Sequence, residues 1–323
     1  MLSKKTILGA VPIAAVAVAA LIGPATASAA VQPAAAAVVA PHWTTQATFG
    51  GGSSSGPSLA SLNGRLYAAW KGADGDQRLF YSSTGDGVNW TTQATFGGGS
   101  STSPTLAVFG NRLFAAWKGA GSDQRLFYSS TSDGVNWTTQ AGFGGGSSDS
   151  PALASSNGIL YAAWKGAGSD SRLFTASTAD GVNWSGQAQF GGGTSAAPSL
   201  TALGGRVYAA WKGAGTDEQL YTASSSDGAN WTGQSIIPGA SSTSPGLASL
   251  NGRVYAVWKG ADSDEHLYTA SSFDGVNWTA QAQFGGGSSD SPSATAFAGQ
   301  LYAAWKGGDT DQRLFYASSP NGS

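Results

Sequence analysis

All twelve tryptophans of this 323-residue chain fall into two series that share one period. Trp43, Trp90, Trp137, Trp184, Trp231 and Trp278 stand 47 residues apart, and so do Trp70, Trp117, Trp164, Trp211, Trp258 and Trp305. Such a spacing means one supersecondary unit repeated six times, each copy burying an apolar face on its neighbours.

One repeat divides cleanly into strands. "PSLASL" (57–62) alternates small or polar with apolar residues, Asn63-Gly64 supplies a two-residue turn, and "RLYAAWK" (65–71) alternates again, so a hairpin is expected. After the loop "GADGD" comes a third strand, "QRLFYSS", and after "TGDG" a fourth over about 89–96. Four antiparallel strands in about 47 residues is the size of a propeller blade. The last repeat stops at "SSPNGS" without its fourth strand, while "PHWTTQATF" (41–49) is a fourth strand without the first three. The expected fold is therefore all-β, a six-bladed β-propeller over 42–323 whose N-terminal strand completes the last blade. Pairing first with last removes the open edges that a linear solenoid would have to cap.

Composition narrows the class of function. There is no cysteine, which excludes disulfides, thiol catalysis and Cys-ligated metal. A net charge of −2, with no basic stretch, gives no pull toward nucleic acid or an anionic membrane. Lys4 and Lys5, an apolar run from Ile7 to Ile22 and the Ala27-x-Ala29 pattern read as a secretory signal peptide over 1–29. The run is too short for a spanning helix, so no membrane insertion is expected. Residues 30–41 carry no turn or periodic signal and read as a disordered leader to a secreted, extracellular, monomeric propeller.

"TGDGVNW" (84–90) resembles the Asp-box, or BNR-type, repeat of sialidase-like propellers, though it is one residue shorter between Asp and Trp than Ser/Thr-x-Asp-x-Gly-x-x-Trp. The motif pairs Asp86 with Trp90, Asp133 with Trp137, Asp180 with Trp184, Asp227 with Trp231 and Asp274 with Trp278. Its Asp can accept hydrogen bonds from the backbone of its own turn, its Gly permits positive φ and its Trp can pack between blades. A residue repeated in every blade is spread around a ring, so the reading is structural rather than catalytic. The Asn-Trp-Thr/Ser triplets at Asn89, Asn136, Asn183, Asn230 and Asn277 match a glycosylation sequon but are accounted for by the same repeat.

The resemblance raises exo-sialidase activity as an alternative, because propeller sialidases bind a substrate carboxylate with three central arginines beside a Tyr/Glu pair and an Asp acid. All eight arginines here have repeat positions instead: Arg65, Arg112, Arg206 and Arg253 follow the first hairpin turn, and Arg78, Arg125, Arg172 and Arg313 begin the third strand. The innermost strands hold no charged residue, His or Tyr, so the channel is expected to offer nothing for acid–base chemistry. His42 and His266 are the two histidines and form no constellation for a triad or a metal; no catalytic residue, metal or cofactor is expected.

A ligand is better sought at the loop between the second and third strands. Trp70, Lys71, Asp76 and Arg78 recur as Trp117, Lys118, Asp123 and Arg125, as Trp164, Lys165, Asp170 and Arg172, and as Trp305, Lys306, Asp311 and Arg313. Two readings stand: a Lys–Asp pair that braces the loop with Trp in the core, or a ring of shallow pockets with an aromatic wall and charged groups for sugar hydroxyls. Blades 4 and 5 differ, carrying Asp217-Glu218-Gln219 and Asp264-Glu265-His266, and the Gly-Gly-Gly connections read as flexible. The whole repeat also resembles exported actinobacterial propellers of the dispase autolysis-inducing type. That likeness implies an extracellular protein partner, such as a protease, or cross-linking by transglutaminase. Gln46, Gln93, Gln140, Gln187, Gln234 and Gln281 on the outermost strands would be the glutamine donors; polar facing of an edge strand is the plainer explanation for them.

Overall fold

The computed structural model describes residues 42–320. The signal peptide expected over 1–29, the leader expected over 30–41 and residues 321–323, with Asn321 at the Asp position of the sixth repeat's turn, lie outside them. The described chain begins with β1 (Ala47–Gly52) and then runs through blade 1: β2 (Ser58–Leu62), β3 (Arg65–Lys71), β4 (Arg78–Thr84) and β5 (Ala94–Gly99). Blades 2 to 5 repeat this plan from β6 (Thr105–Phe109) to β21 (Ala282–Gly287). Blade 6 has β22 (Ser293–Phe297), β23 (Gln300–Lys306) and β24 (Arg313–Pro320), and its outermost strand is β1. The described residues form six four-stranded antiparallel sheets, as the repeat predicts. Ala47 pairs with Tyr316 and Phe49 with Leu314, closing the ring.

Tryptophan holds the blades together. The six of the Trp70 series lie at the ends of the second strands and are at most 1% exposed. Each buries roughly 150–250 Å², worth about 4–6 kcal/mol at ~25 cal/mol per Å². The other series stacks on the preceding blade: Trp90 lies 4.8 Å from Phe49, Trp137 4.6 Å from Phe96 and Trp43 4.2 Å from Phe284, ring centroid to centroid.

The outermost strands depart from expectation. They begin later, at Ala94 rather than about 89, and run through the glycines, which are strand with a bulge and not a flexible connection. In β1 the register shifts between Phe49 and Gly52, and Gly51 takes φ +92° so that its chain passes over the indole of Trp70. Close approach of the next blade's tryptophan, not mobility, explains the glycine run.

Candidate functional site

The Asp-box turn forms as its residue types dictate. One oxygen of Asp86 accepts from the N–H groups of Val88 (2.9 Å) and Asn89 (2.8 Å) and from Thr84 Oγ1 (2.8 Å); the other accepts from Asn89 Nδ2 (2.7 Å). These bonds, the Asn89 N–H foremost, hold the Asp86 carboxyl well below the usual carboxylate range. Gly87 sits at φ +77° with no room for a β-carbon beside Tyr302. The equivalent turns at Asp133, Asp180, Asp227 and Asp274 repeat the arrangement. Every amide that the sequon would offer for glycosylation is thus engaged by its own turn, as with Asn277 Nδ2 on Asp274.

On the other loop set the pairing differs from the expected Lys–Asp brace. Lys71 is buried, and its Nζ donates to Ser54 Oγ (2.5 Å) and the Gly72 carbonyl (3.3 Å), which ties the connection between blades to the loop after β3. Lys118, Lys165 and Lys306 do the same through Ser101, Ser148 and Ser289. Burial pushes the Lys71 and Lys118 ammonium groups below the usual lysine value. Trp70, Trp117, Trp164 and Trp305 are core, so the aromatic wall imagined for a sugar pocket is not at the surface. A fully buried indole and a buried ammonium cannot meet a ligand directly.

What the surface does present is Asp and Arg. Asp76 takes the Arg78 guanidinium side-on, with Nε 3.0 Å from Oδ1 and Nη2 2.7 Å from Oδ2, and also accepts the Arg78 N–H at 2.9 Å. The Arg78 guanidinium holds the Asp76 carboxyl down at about 2. Its carbon lies 5.2 Å from the Phe80 ring centroid, while the side chain stays 71% exposed. Asp123–Arg125, Asp170–Arg172 and Asp311–Arg313 copy this station, with Phe127, Phe174 and Phe315 beneath. Blades 4 and 5 lack the arginine, and Asp217 and Asp264 bond instead to Tyr221 (3.0 Å) and Tyr268 (2.9 Å). Asp264 also lies 2.6 Å from His266 Nδ1, at the edge of a groove of about 740 Å³ lined by Asp262, Glu265 and Asp309.

Two further roles escaped the sequence reading. The residue after the station's Asp reaches into the next blade's loop: Gln77 accepts from the Gly121 N–H, Gln124 from Gly168, Glu218 from Asp262, Glu265 from Asp309 and Gln312 from Asp74. Blade 3 has Ser171 there and makes no such bond. The axial cavity, about 790 Å³, is not free of acid as expected, because Asp149 and Asp290 in the inter-blade connections line it. They stand three repeats apart and so face each other across the axis. Asp290 accepts from Ser291 (2.6 Å) and, across the seam, from the Gly56 N–H (3.1 Å). Burial pushes both carboxyls up, and for Asp149 the charge of Asp290 adds to this. Their signal was readable as "SSDSP", where the other repeats have Ser55, Thr102, Ala196 and Thr243 two residues before the proline. No Arg, Lys, His or Tyr lines this cavity among the described residues, so a carboxylate-binding arginine cluster is not found on the axis.

The glutamines from Gln46 to Gln281 are exposed on the rim, their amides leaning over the preceding blade's glycines, as Gln93 does at Gly51. No three His, Asp or Glu groups are placed to hold a metal ion among the described residues, nor is there a helix long and apolar enough to cross a membrane.

No protein-family model and no curated protein matches the sequence. Solved structures do match in fold. Trypanosoma rangeli sialidase in complex with sialic acid superposes with a TM-score of 0.60 at 15% identity, over 88% of this chain and 60% of that one. The chain thus spans less than two thirds of the sialidase. Aleuria aurantia lectin, as a point mutant in complex with Fucα1-6GlcNAc, gives 0.61 at 15% identity over 83% of this chain and 96% of the lectin. A triple-arginine mutant of AofleA from Arthrobotrys oligospora gives 0.63 at 15% identity, over 85% and 87%. At this identity the likeness establishes the shared propeller and nothing finer.

Proposed function

We propose that this is a secreted, monomeric, non-catalytic propeller that binds carbohydrate multivalently through the loop face carrying the Asp–Arg stations. The observation that carries the reading is the repetition of one exposed, preoriented polar group, Asp76–Arg78 and its three copies, at the interval of the blades. Each station offers donors and acceptors at fixed geometry, which is what sugar hydroxyls require, while the Phe ring beneath belongs to the core and serves to orient the arginine. Weak single sites gain from repetition against a surface that repeats its own ligand. The fold shared with a lectin solved with a fucosylated disaccharide supports the same direction. So does the absence of arginine and tyrosine from the axial cavity lining, among the described residues, which disfavours an exo-sialidase. A glycan array probed at low and high protein density tests it; a protein that binds no glycan at high density overturns the reading.

The exposed glutamines favour a second reading, an extracellular interaction protein that serves as a glutamine donor. Incubation with transglutaminase and a labelled amine, followed by mass spectrometry, would mark Gln46, Gln93, Gln140, Gln187, Gln234 or Gln281. An unlabelled protein removes that reading.

A further inference from the structure

The stations are not distributed evenly, and their chemistry is directional. Guanidinium has five N–H donors, four of which form two forks. In each station the aspartate occupies the side-on fork, formed by Nε and Nη2, as in Arg125 on Asp123 at 3.0 and 2.8 Å. The end-on fork, formed by Nη1 and the second hydrogen of Nη2, has no partner among the described residues in Arg125, whose side chain is 76% exposed. That free fork matches a carboxylate better than it matches a hydroxyl, because two parallel charge-assisted bonds can form at once. The first carboxylate and the Phe ring have already fixed the arginine, so little side-chain freedom is left to lose.

Blades 6, 1, 2 and 3 are consecutive around the closed ring, so the four free forks lie on one arc. Counting the Lys, Arg, Asp and Glu of each loop and third-strand start, blades 2 and 3 each carry a net charge of +1, blades 1 and 6 carry zero, blade 4 carries −1 and blade 5 carries −2. The face is therefore uneven: blades 4 and 5, with Glu218, Asp262 and Glu265, form an acidic sector opposite an arginine arc that is close to neutral.

We infer that the arc of Arg313, Arg78, Arg125 and Arg172 binds glycans that carry carboxylates, a chain of uronic acids being the ligand whose repeated charge fits repeated forks. The acidic blades 4 and 5 repel the same chain and confine it to the arc. This inference rests on the carbohydrate-binding reading above and narrows it.

The test uses the full protein with a short oligogalacturonate, its carboxyl-reduced neutral counterpart, and the variants Arg125→Ala/Arg172→Ala and Arg125→Lys/Arg172→Lys. These side chains are exposed, so folding is expected to survive, and circular dichroism checks it. At low salt the acidic chain should bind about tenfold or more tighter than the neutral one, and the preference should shrink as salt is raised. The alanine pair, which leaves Arg313 and Arg78 in place, should cut the preference severalfold, and the lysine pair, which keeps the charge and loses the fork, should recover only part of it. Equal affinity for the acidic and neutral chains, or an unchanged preference in the alanine pair, overturns the inference. Binding of neutral glycans on the array without binding of the uronate chain overturns it and leaves the carbohydrate reading standing, whereas binding of no sugar overturns both.

Discussion

Gly51 in the outermost strand of blade 6 lies against the indole of Trp70 in blade 1, so near that a β-carbon at 51 would stand 2.7 Å from Trp70 Cζ2 and 2.5 Å from Gln93 Oε1. The neighbouring Gly50 would meet nothing within 4 Å. Gly51→Ala should therefore destabilise the protein by about 2–4 kcal/mol, combining overpacking with the cost of φ +92° for a residue with a side chain. Gly50→Ala should stay within ~0.5 kcal/mol of the parent. Urea unfolding of the two single variants checks the contrast, and equal midpoints would show that the bulge is not packed as described.

Lys71 should behave as a structural residue. Its ammonium ties Ser54 to the loop after β3, so Lys71→Met removes that tie while Ser54 Oγ and N–H still reach the Gly72 carbonyl, and should cost about 1 kcal/mol. Sugar binding lost in a lysine variant would then reflect a loosened loop. Comparing its melting temperature with that of Arg78→Ala, which removes a surface side chain, separates the two causes: the lysine variant should melt earlier and the arginine variant near the parent.

Two sets of aspartates should give opposite pH dependences. The carboxyls of Asp86, Asp133, Asp180, Asp227 and Asp274 are lowered in the folded state, so their stabilisation is present above the unfolded value near about 4 and is lost as pH falls below it. Asp149 and Asp290 are raised, so the folded state holds protons that the unfolded chain releases, and stability declines as pH rises from about 4 through their folded values. An Asp149→Asn/Asp290→Asn variant should lose that decline and keep the acid-side loss. Thermal melts from about pH 3 to 8, the range that brackets both limbs, check the assignment; a decline unchanged in the double variant would remove the axial pair as its source.

The missing clasp at blade 3 can be built. Ser171→Gln places there the side chain that Gln77 and Gln124 use to accept from the next blade's loop, with the Gly215 N–H as its target. A gain of about 0.5–1.5 kcal/mol in unfolding free energy is expected, with slower amide exchange at Gly215. Faster exchange there, or a loss of stability, would show that the loop of blade 4 is not placed to receive it.

Much of this molecule can be read from its sequence because the repeat supplies six statements of each rule. The paired tryptophan series predicts the blades, Asn63-Gly64 the hairpin and the orphan strand near Trp43 the ring closure, each by local chemistry. What could not be read depends on which neighbour wins a contact across a seam. Lys71 and Asp76 are close in sequence and opposite in charge, yet Ser54 from the preceding connection takes the lysine and Arg78 takes the aspartate. The glycines of β1 look flexible until the indole of Trp70 is laid on them. Asp149 and Asp290 differ from their repeat equivalents by one residue each, a signal that matters only once the ring sets them face to face.

The pairing of β1 with β24 also has a kinetic side. Ser318 bonds back to Thr44, 274 residues away, so the last seam joins the two most distant parts of the described chain. Five blades can collapse from contacts within 47-residue units, but the sixth sheet must await both of its ends, at a higher loop-closure entropy. Ring closure is therefore expected as the final, slowest phase of refolding, and fluorescence of Trp43 against Phe284 would be the last signal to settle.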